Sequence, residues 1–157
     1  LADFINLNNA MTSPSPIDVF DALHELLHVF RIRVRTRLES LHPELTLNEM
    51  RVLIHTGHNQ DLTQKDLTER SQTDKAQMAR LLASLEDRGL LGRTPSAHDK
   101  RVRCLRLTEQ GKTLFGQLRD LQHEVASELL QDIPMGTQAQ ILDFAGLHKQ
   151  KSSGAKT

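Results

Sequence analysis

The order of local signals between Thr63 and Thr108 constrains this chain more than any bulk property. Thr63 to Asp66, "TQKD", has the capping-box pattern, in which a threonine hydroxyl accepts from the backbone three residues on and the acid reaches back. It opens a short helix through Arg70. "SQTDK" then reads as a tight turn, with Ser71 or Thr73 starting a second helix. That helix, Asp74 to Arg88, places Met78, Leu81, Leu82 and Leu85 on one face and stops at Gly89. Two helices joined by so short a turn form a helix-turn-helix. Two extended runs follow, "LLGRTP" and "RVRCLRLT", around the polar tip "SAHDK", and these read as a β-hairpin.

The flanks are helical. From Ile17 to Leu41 the residues Phe20, Leu23, Leu27, Phe30, Val34, Leu38 and Leu41 recur at three- and four-residue steps, an apolar stripe on one long helix that Pro43 ends. The alternating segment "RIRVRTR" within it imitates a strand, but the stripe continues on both sides. "TLNE", Thr46 to Glu49, is a second capping box, and its helix carries Leu47, Met50, Leu53 and Ile54 to near Gly57. Thr108 caps another long helix bearing Leu114, Leu118, Leu121, Val125, Leu129 and Leu130. Pro134 and Gly136 break it, and Ile141, Leu142, Ala145 and Leu147 mark a last one. With no Trp, no Tyr and 3% aromatics, leucine must build the core, which favours helices over a sandwich. The expected class is mainly α with a small β-hairpin wing: a winged helix-turn-helix between N- and C-terminal dimerisation helices. The expected boundaries are a flexible arm over 1–16, the first dimerisation helix over 17–44, the winged domain over 45–108, C-terminal dimerisation helices over 109–150 and a disordered tail over 151–157.

Lys+Arg and Asp+Glu both total 20, so net charge says nothing of partners, but its distribution does. From Arg70 to Arg106 stand nine basic residues (Arg70, Lys75, Arg80, Arg88, Arg93, Lys100, Arg101, Arg103, Arg106) against four acids (Asp74, Glu86, Asp87, Asp99). Such a local excess suits an anionic partner. On the second helix the non-core positions near the start are Thr73, Lys75, Ala76, Gln77 and Arg80. In a major groove glutamine suits adenine, and arginine or lysine suits guanine. The Ser71 and Thr73 hydroxyls and the helix N-terminal amides suit phosphates. Arg70, Lys65 and Arg103 are further phosphate candidates, although any exposed basic residue qualifies. The partner expected is double-stranded DNA; a solvated helix face is the plainer alternative.

The single cysteine, Cys104, excludes an internal disulfide framework and fits a reducing compartment. No apolar run approaches a membrane span and no leader pattern is visible at the N-terminus, so the expected location is the cytoplasm, with no membrane partner.

"LTLNEMRVL", "LTQKDLTERSQTDKAQMARLLASLEDRGLLGR" and "HDKRVRCLRLTEQG" resemble the MarR family of bacterial transcription regulators, well over residues from about 45 to 115 and in the length and order of the flanking helices. The most specific piece is Leu85-Glu86-x-x-Gly89-Leu90, then Asp99-x-Arg101, then Leu107-Thr108-x-x-Gly111. The resemblance implies that Arg101 enters a DNA minor groove while Asp99 pins its guanidinium. A narrow minor groove concentrates negative potential, and a buttressed arginine loses less entropy on entering it. Without the resemblance, Asp99 and Arg101 are polar residues at a hairpin tip. The resemblance also implies a homodimer, which would bury the terminal apolar stripes and read a pseudo-palindrome with half-sites about one helical turn apart. An intramolecular bundle is the alternative way to bury them. One branch of the family senses peroxides through a cysteine near the first helix with tyrosine partners. Cys104 lies in a wing strand and the chain has no Tyr, so an inert buried thiol is expected.

One motif points elsewhere. "HELLH", His24 to His28, has the H-E-x-x-H spacing of zinc proteases, two histidines one turn apart with a general base. A third ligand is missing: Glu44 and Glu49 lie downstream, but Glu49 belongs to the capping box. Arg31, Arg33, Arg35 and Arg37 crowd the next turns and oppose a dication. No metal, cofactor or enzymatic activity is therefore expected. Family effectors bind between the dimerisation helices and the winged domain, so His24, His28 and Arg31 are candidates for a small anionic or phenolic effector, with ordinary boundary histidines as the alternative. The expected function is a ligand-responsive homodimeric DNA-binding regulator, a repressor; its competitors are a winged-helix protein–protein adaptor and a zinc hydrolase using "HELLH".

Overall fold

A computed structural model describes residues 15–59, 61–71 and 73–153, with side chains as far as residue 146. Six helices and one hairpin follow in the order α1 (Pro16–Leu41), α2 (Leu47–His58), α3 (Gln64–Ser71), α4 (Lys75–Asp87), β1 (Leu91–Pro95), β2 (Arg103–Leu107), α5 (Glu109–Leu130) and α6 (Met135–Ser153). The expected mainly α architecture with a hairpin wing is therefore present.

Capping chemistry sets most of the helix starts. Ser15 accepts from the Asp18 amide while the Asp18 carboxylate accepts from Ser15, and Pro16 occupies the first helical position. Ser15 and Pro16, placed by sequence in the arm, thus open α1; the rest of that arm lies outside the described residues. Thr46 and Glu49 form the expected box on α2. Thr63 and Asp66 do the same before α3, at 2.8 Å from the Thr63 amide to the carboxylate. For α4 the expectation needs correcting. Neither Ser71 nor Thr73 caps it: the Asp74 carboxylate accepts from the Gln77 amide at 2.8 Å. Ser71 is the last residue of α3, its hydroxyl donating to the Leu67 carbonyl at 2.6 Å. An aspartate three residues before an amide outcompetes the hydroxyls because its charge also favours the helix N-terminus.

The core is built by leucine, as composition required. Leu53, Leu82, Leu85 and Leu118 are completely buried where α2, α4 and α5 meet, and Leu38 and Val34 of α1 join them from the far side of α5. β1 and β2 pair antiparallel with Leu91 opposite Leu107 and Pro95 opposite Arg103. Between α4 and α5 sits a compact lock. Gly89 takes φ +68°, which a side chain would strain, and lets the Leu90 amide reach the Leu85 carbonyl. The Thr108 hydroxyl donates to the Gly89 carbonyl at 2.6 Å and accepts from the Gly111 amide at 3.0 Å. A Cβ on Gly111 would lie far inside contact distance of the Leu90 carbonyl oxygen, so only glycine fits there.

The two ends of the chain are packed unequally. In α1 only Val34 and Leu38 are buried, and Ile17, Phe20 and Leu27 of the same helix are exposed. In α6 every described side chain except half-buried Gln138 is exposed, including Met135, Ile141, Leu142 and Phe144. α6 also runs to Ser153, past the residue-150 boundary where a disordered tail was expected.

Candidate nucleic-acid interface

The turn between α3 and α4 presents the start of α4 outward. Lys75, Ala76, Gln77 and Arg80 are all exposed, while Met78, Leu82 and Leu85 on the opposite face are buried. Thr73 is half-buried, and its hydroxyl donates to the Ser71 carbonyl at 3.3 Å. The two hydroxyls expected at phosphates are thus engaged within the turn, where each retains acceptor capacity but directs its proton inward.

Ion pairing sorts the basic cluster in a way that composition could not. Arg88 reaches Glu49 at 3.3 Å, Arg93 reaches Glu86 at 2.5 Å, and Arg106 reaches Asp61 at 3.0 Å. Arg70, Lys75, Arg80, Lys100, Arg101 and Arg103 make no ion pair among the described residues. Of the acids, Glu86 is paired, Asp74 caps α4 and Asp99 is bound to backbone. The cations left free lie at the end of α3, at the start of α4 and on the wing, so the positive potential concentrates around the α3–α4 turn and the wing.

The wing tip is ordered by its own short-range bonds. The Ser96 amide donates to the Val102 carbonyl at 2.9 Å, and the Val102 amide to the Asp99 carbonyl at 3.0 Å. Asp99 does not pin the Arg101 guanidinium as expected. Its carboxylate accepts from the Arg101 backbone amide at 2.9 Å, and the Arg101 side chain extends exposed without an ion pair. At a separation of two residues, a carboxylate closes onto the backbone amide more readily than onto the far end of an arginine. The aspartate therefore fixes the turn from which the arginine projects. At the other end, the Leu105 amide donates to the Leu62 carbonyl at 2.8 Å, and the Arg106–Asp61 pair crosses the same junction. The base of the wing is tied to the segment just before α3. Cys104, beside that tie, is buried.

The candidate effector residues all lie on α1. His24, His28 and Arg31 are exposed on the poorly packed half of α1, and no group of three or more His, Cys, Asp or Glu side chains among the described residues is arranged to hold a metal. A cavity of about 390 Å³ lies instead at the junction of the α1–α2 loop, the end of α4 and the start of α5, lined by His42, Glu44, Arg88, Leu90, Gln110 and Leu114 among others. None of the three expected residues reaches it. Sequence reasoning missed this site because its polar residues come from three separate elements, and only the fold brings them together. Among the described residues no helix is long and apolar enough to cross a membrane.

Residues 44–102 match the family model described as the MarR family. Among solved structures, the chain is similar to wild-type MarR in its apo form from E. coli, at 20% identity over 87% of this chain and 97% of that one, with a TM-score of 0.65. It is similar to the transcriptional regulator BldR from Sulfolobus solfataricus, at 18% identity over 89% and 99% with a TM-score of 0.65. A MarR-family transcriptional regulator from Rhodococcus sp. RHA1 matches at 20% identity over 93% and 100%, with a TM-score of 0.67. The segment from the α1–α2 loop to the wing tip is thus similar to the MarR family, and the chain as a whole shares the fold of the solved MarR structures.

Proposed function

We propose that this protein is a homodimeric, ligand-responsive transcription regulator that binds a pseudo-palindromic DNA operator and represses. The observation that carries the reading is the sorting of charge: the cations without ion pairs lie at the end of α3, at the exposed start of α4 and on the wing, while Arg88, Arg93 and Arg106 are paired. α4 is the helix offered to a major groove, with Gln77 and Arg80 toward base edges and Lys75 toward phosphate. Arg101, projecting from the turn that Asp99 fixes, is offered to the flanking minor groove, and Arg103 to the backbone. Two proteins of similar fold are named as transcriptional regulators, which agrees with this reading.

Dimerisation follows from what one chain leaves uncovered. Ile17, Phe20 and Leu27 on α1 and Ile141 and Leu142 on α6 are large apolar side chains that one chain leaves exposed. A second copy, related by a two-fold axis, covers them and sets two α4 helices against successive major grooves. The cavity beside Arg88 supplies the ligand response. Arg88 caps the end of α4 and bonds Glu49 of α2, so an anionic or phenolic compound that draws on Arg88 biases α4 against the helices behind it. Such a compound releases DNA only if it binds the two dimer geometries with different affinity.

The test is to select bound duplexes from a random DNA pool and then screen small acids and phenols for release. A recovered sequence with two-fold symmetry, bound by a dimer, is the expected result. Recovery of no preferred sequence, together with binding insensitive to salt, would remove the DNA reading, because neutralised phosphates release counterions.

A further inference from the structure

Beside the turn of the helix-turn-helix, Arg70 of α3 stands near two further basic groups on α2. Arg51 and His55 are one turn apart on α2, and Arg70 near the end of α3 acts on the same imidazole. Among the described residues neither arginine is in an ion pair, and the His55 imidazole makes no hydrogen bond. Of the nearby acids, the Asp66 carboxylate accepts both the amide and the hydroxyl of Thr63 and also feels the Arg70 charge one turn along α3, and Glu69 lies 3.9 Å from Lys65. Arg51 and His55 share a shallow depression with Asn48, Ser71 and Thr73, the last two being the turn that leads into α4. The depression holds about 10 Å³, room for one oxygen-sized atom rather than a whole ligand.

We propose that Arg51, His55 and Arg70 form a seat for one backbone phosphate of the duplex, and that protonation of His55 completes it. The inference rests on the reading of the protein as a DNA binder. A duplex that takes α4 in its major groove carries a flanking strand past the turn at Ser71 and Thr73, and phosphate contacts on that side fix register without reading sequence. One phosphate oxygen fits the depression beside Arg51 and His55, and the Arg70 charge acts on the same imidazole from α3.

His55 gives the seat a pH dependence. Burial pushes its pKa below the ordinary histidine value, and Arg51, Arg70 and His58 push in the same direction; no carboxylate opposes them. From α4 the depression receives Met78 and Leu81, which do not titrate. The free protein therefore disfavours the imidazolium, with Arg51, Arg70 and His58 all acting against it. A seated phosphate relieves that repulsion and favours the imidazolium, so binding takes up a proton and affinity rises as pH falls.

The experiment uses the full chain and a mixed-sequence duplex several helical turns long, with binding followed by fluorescence anisotropy against salt and pH. Between about pH 8 and about pH 6, affinity should rise by up to about tenfold per protomer for each unit by which the phosphate raises His55. His55→Gln should remove this component and His55→Lys should retain tight binding at the higher pH. A pH response that persists in His55→Gln would assign it to another group, such as His98 in the wing, and overturn the seat's switch. Arg51→Gln and Arg70→Gln, both at exposed positions, should each reduce the salt slope by about one unit. Wild-type protein that binds with a steep slope left unchanged by both substitutions would refute the seat alone, whereas wild-type protein that binds no duplex would refute the DNA reading itself. Inorganic phosphate alone should leave the His55 titration, read by NMR, in place. A shift there would make a free anion the ligand and overturn the assignment to the duplex.

Discussion

Glu49 combines local and long-range roles in one side chain. It closes the capping box on α2 through Thr46 and also accepts from Ser84 at 2.9 Å and Arg88 at 3.3 Å, joining α2 to α4 across the core edge. Burial pushes its pKa up, but the bonds from the Thr46 amide, Ser84, the Thr46 hydroxyl and Arg88 together outweigh burial and hold it below the ordinary carboxylate value. A depressed folded pKa contributes stability that is complete above the unfolded value of about 4.3 and is lost as pH falls through the folded one. Wild-type protein should therefore lose more stability than Glu49→Gln between about pH 5 and about pH 3 in denaturant titrations, and parallel pH curves would contradict this. At neutral pH Glu49→Ala should cost about 1–3 kcal/mol, because the Ser84 and Arg88 donors lose their acceptor. On the proposed reading, Arg101 and Gln77 should separate two kinds of DNA contact. Arg101→Ala should weaken binding across sequences by about 1–2 kcal/mol, with some loss of A·T preference in the flanks. Gln77→Ala should change base preference instead. Unchanged affinity in the first, or a uniform drop in the second, would remove that residue from its role.

At the scale of elements, α5 is the spine. It packs against α1 on one side and α2 on the other, and Arg37 of α1 bonds both Glu124 at 3.3 Å and Glu128 at 2.5 Å across the first of those interfaces. Exposed pairs of this kind contribute little individually, so the α1–α5 contact depends chiefly on Val34, Leu38, Leu118 and Val125. α6 has no comparable packing, and this yields a test that separates folding from assembly. Leu142→Asp alters a side chain exposed in the single chain, so it should leave the winged domain folded by circular dichroism. It should also shift a dimer toward monomer in sedimentation at micromolar concentration. An unchanged sedimentation coefficient would place the subunit contact elsewhere. Helix starts were legible in sequence wherever a threonine and an acid stood three residues apart, as at Thr46 and Thr63. The start of α4 was not, because Ser71, Thr73 and Asp74 are all good caps and only the geometry of the turn chooses Asp74. The periodic stripe on α1 revealed a helix but not which half of it would be packed by its own chain.

The whole molecule divides into a tightly packed winged unit and two ends whose apolar side chains are largely exposed in the single chain. The reading of the winged unit was nearly complete from sequence because its signals are local: caps, glycine stops and a hairpin with a polar tip. What sequence could not supply was pairing. Nine basic residues look alike on the line of the chain, and only folded distances show that Arg88, Arg93 and Arg106 are internal ties while Lys75, Arg80 and Arg101 are free. The cavity at Arg88 and the cluster at His55 were illegible for the same reason. One feature of this unit makes the protein its own reporter. The only thiol in the sequence, Cys104, is 1% exposed on β2, next to the backbone bond that ties Leu105 to Leu62. A maleimide can react only in moments when an opening, local or global, exposes that strand, so the labelling rate reports the most frequent of those openings. Bound duplex should slow the labelling, and an equal rate with and without it would mean that the hairpin stays outside the complex.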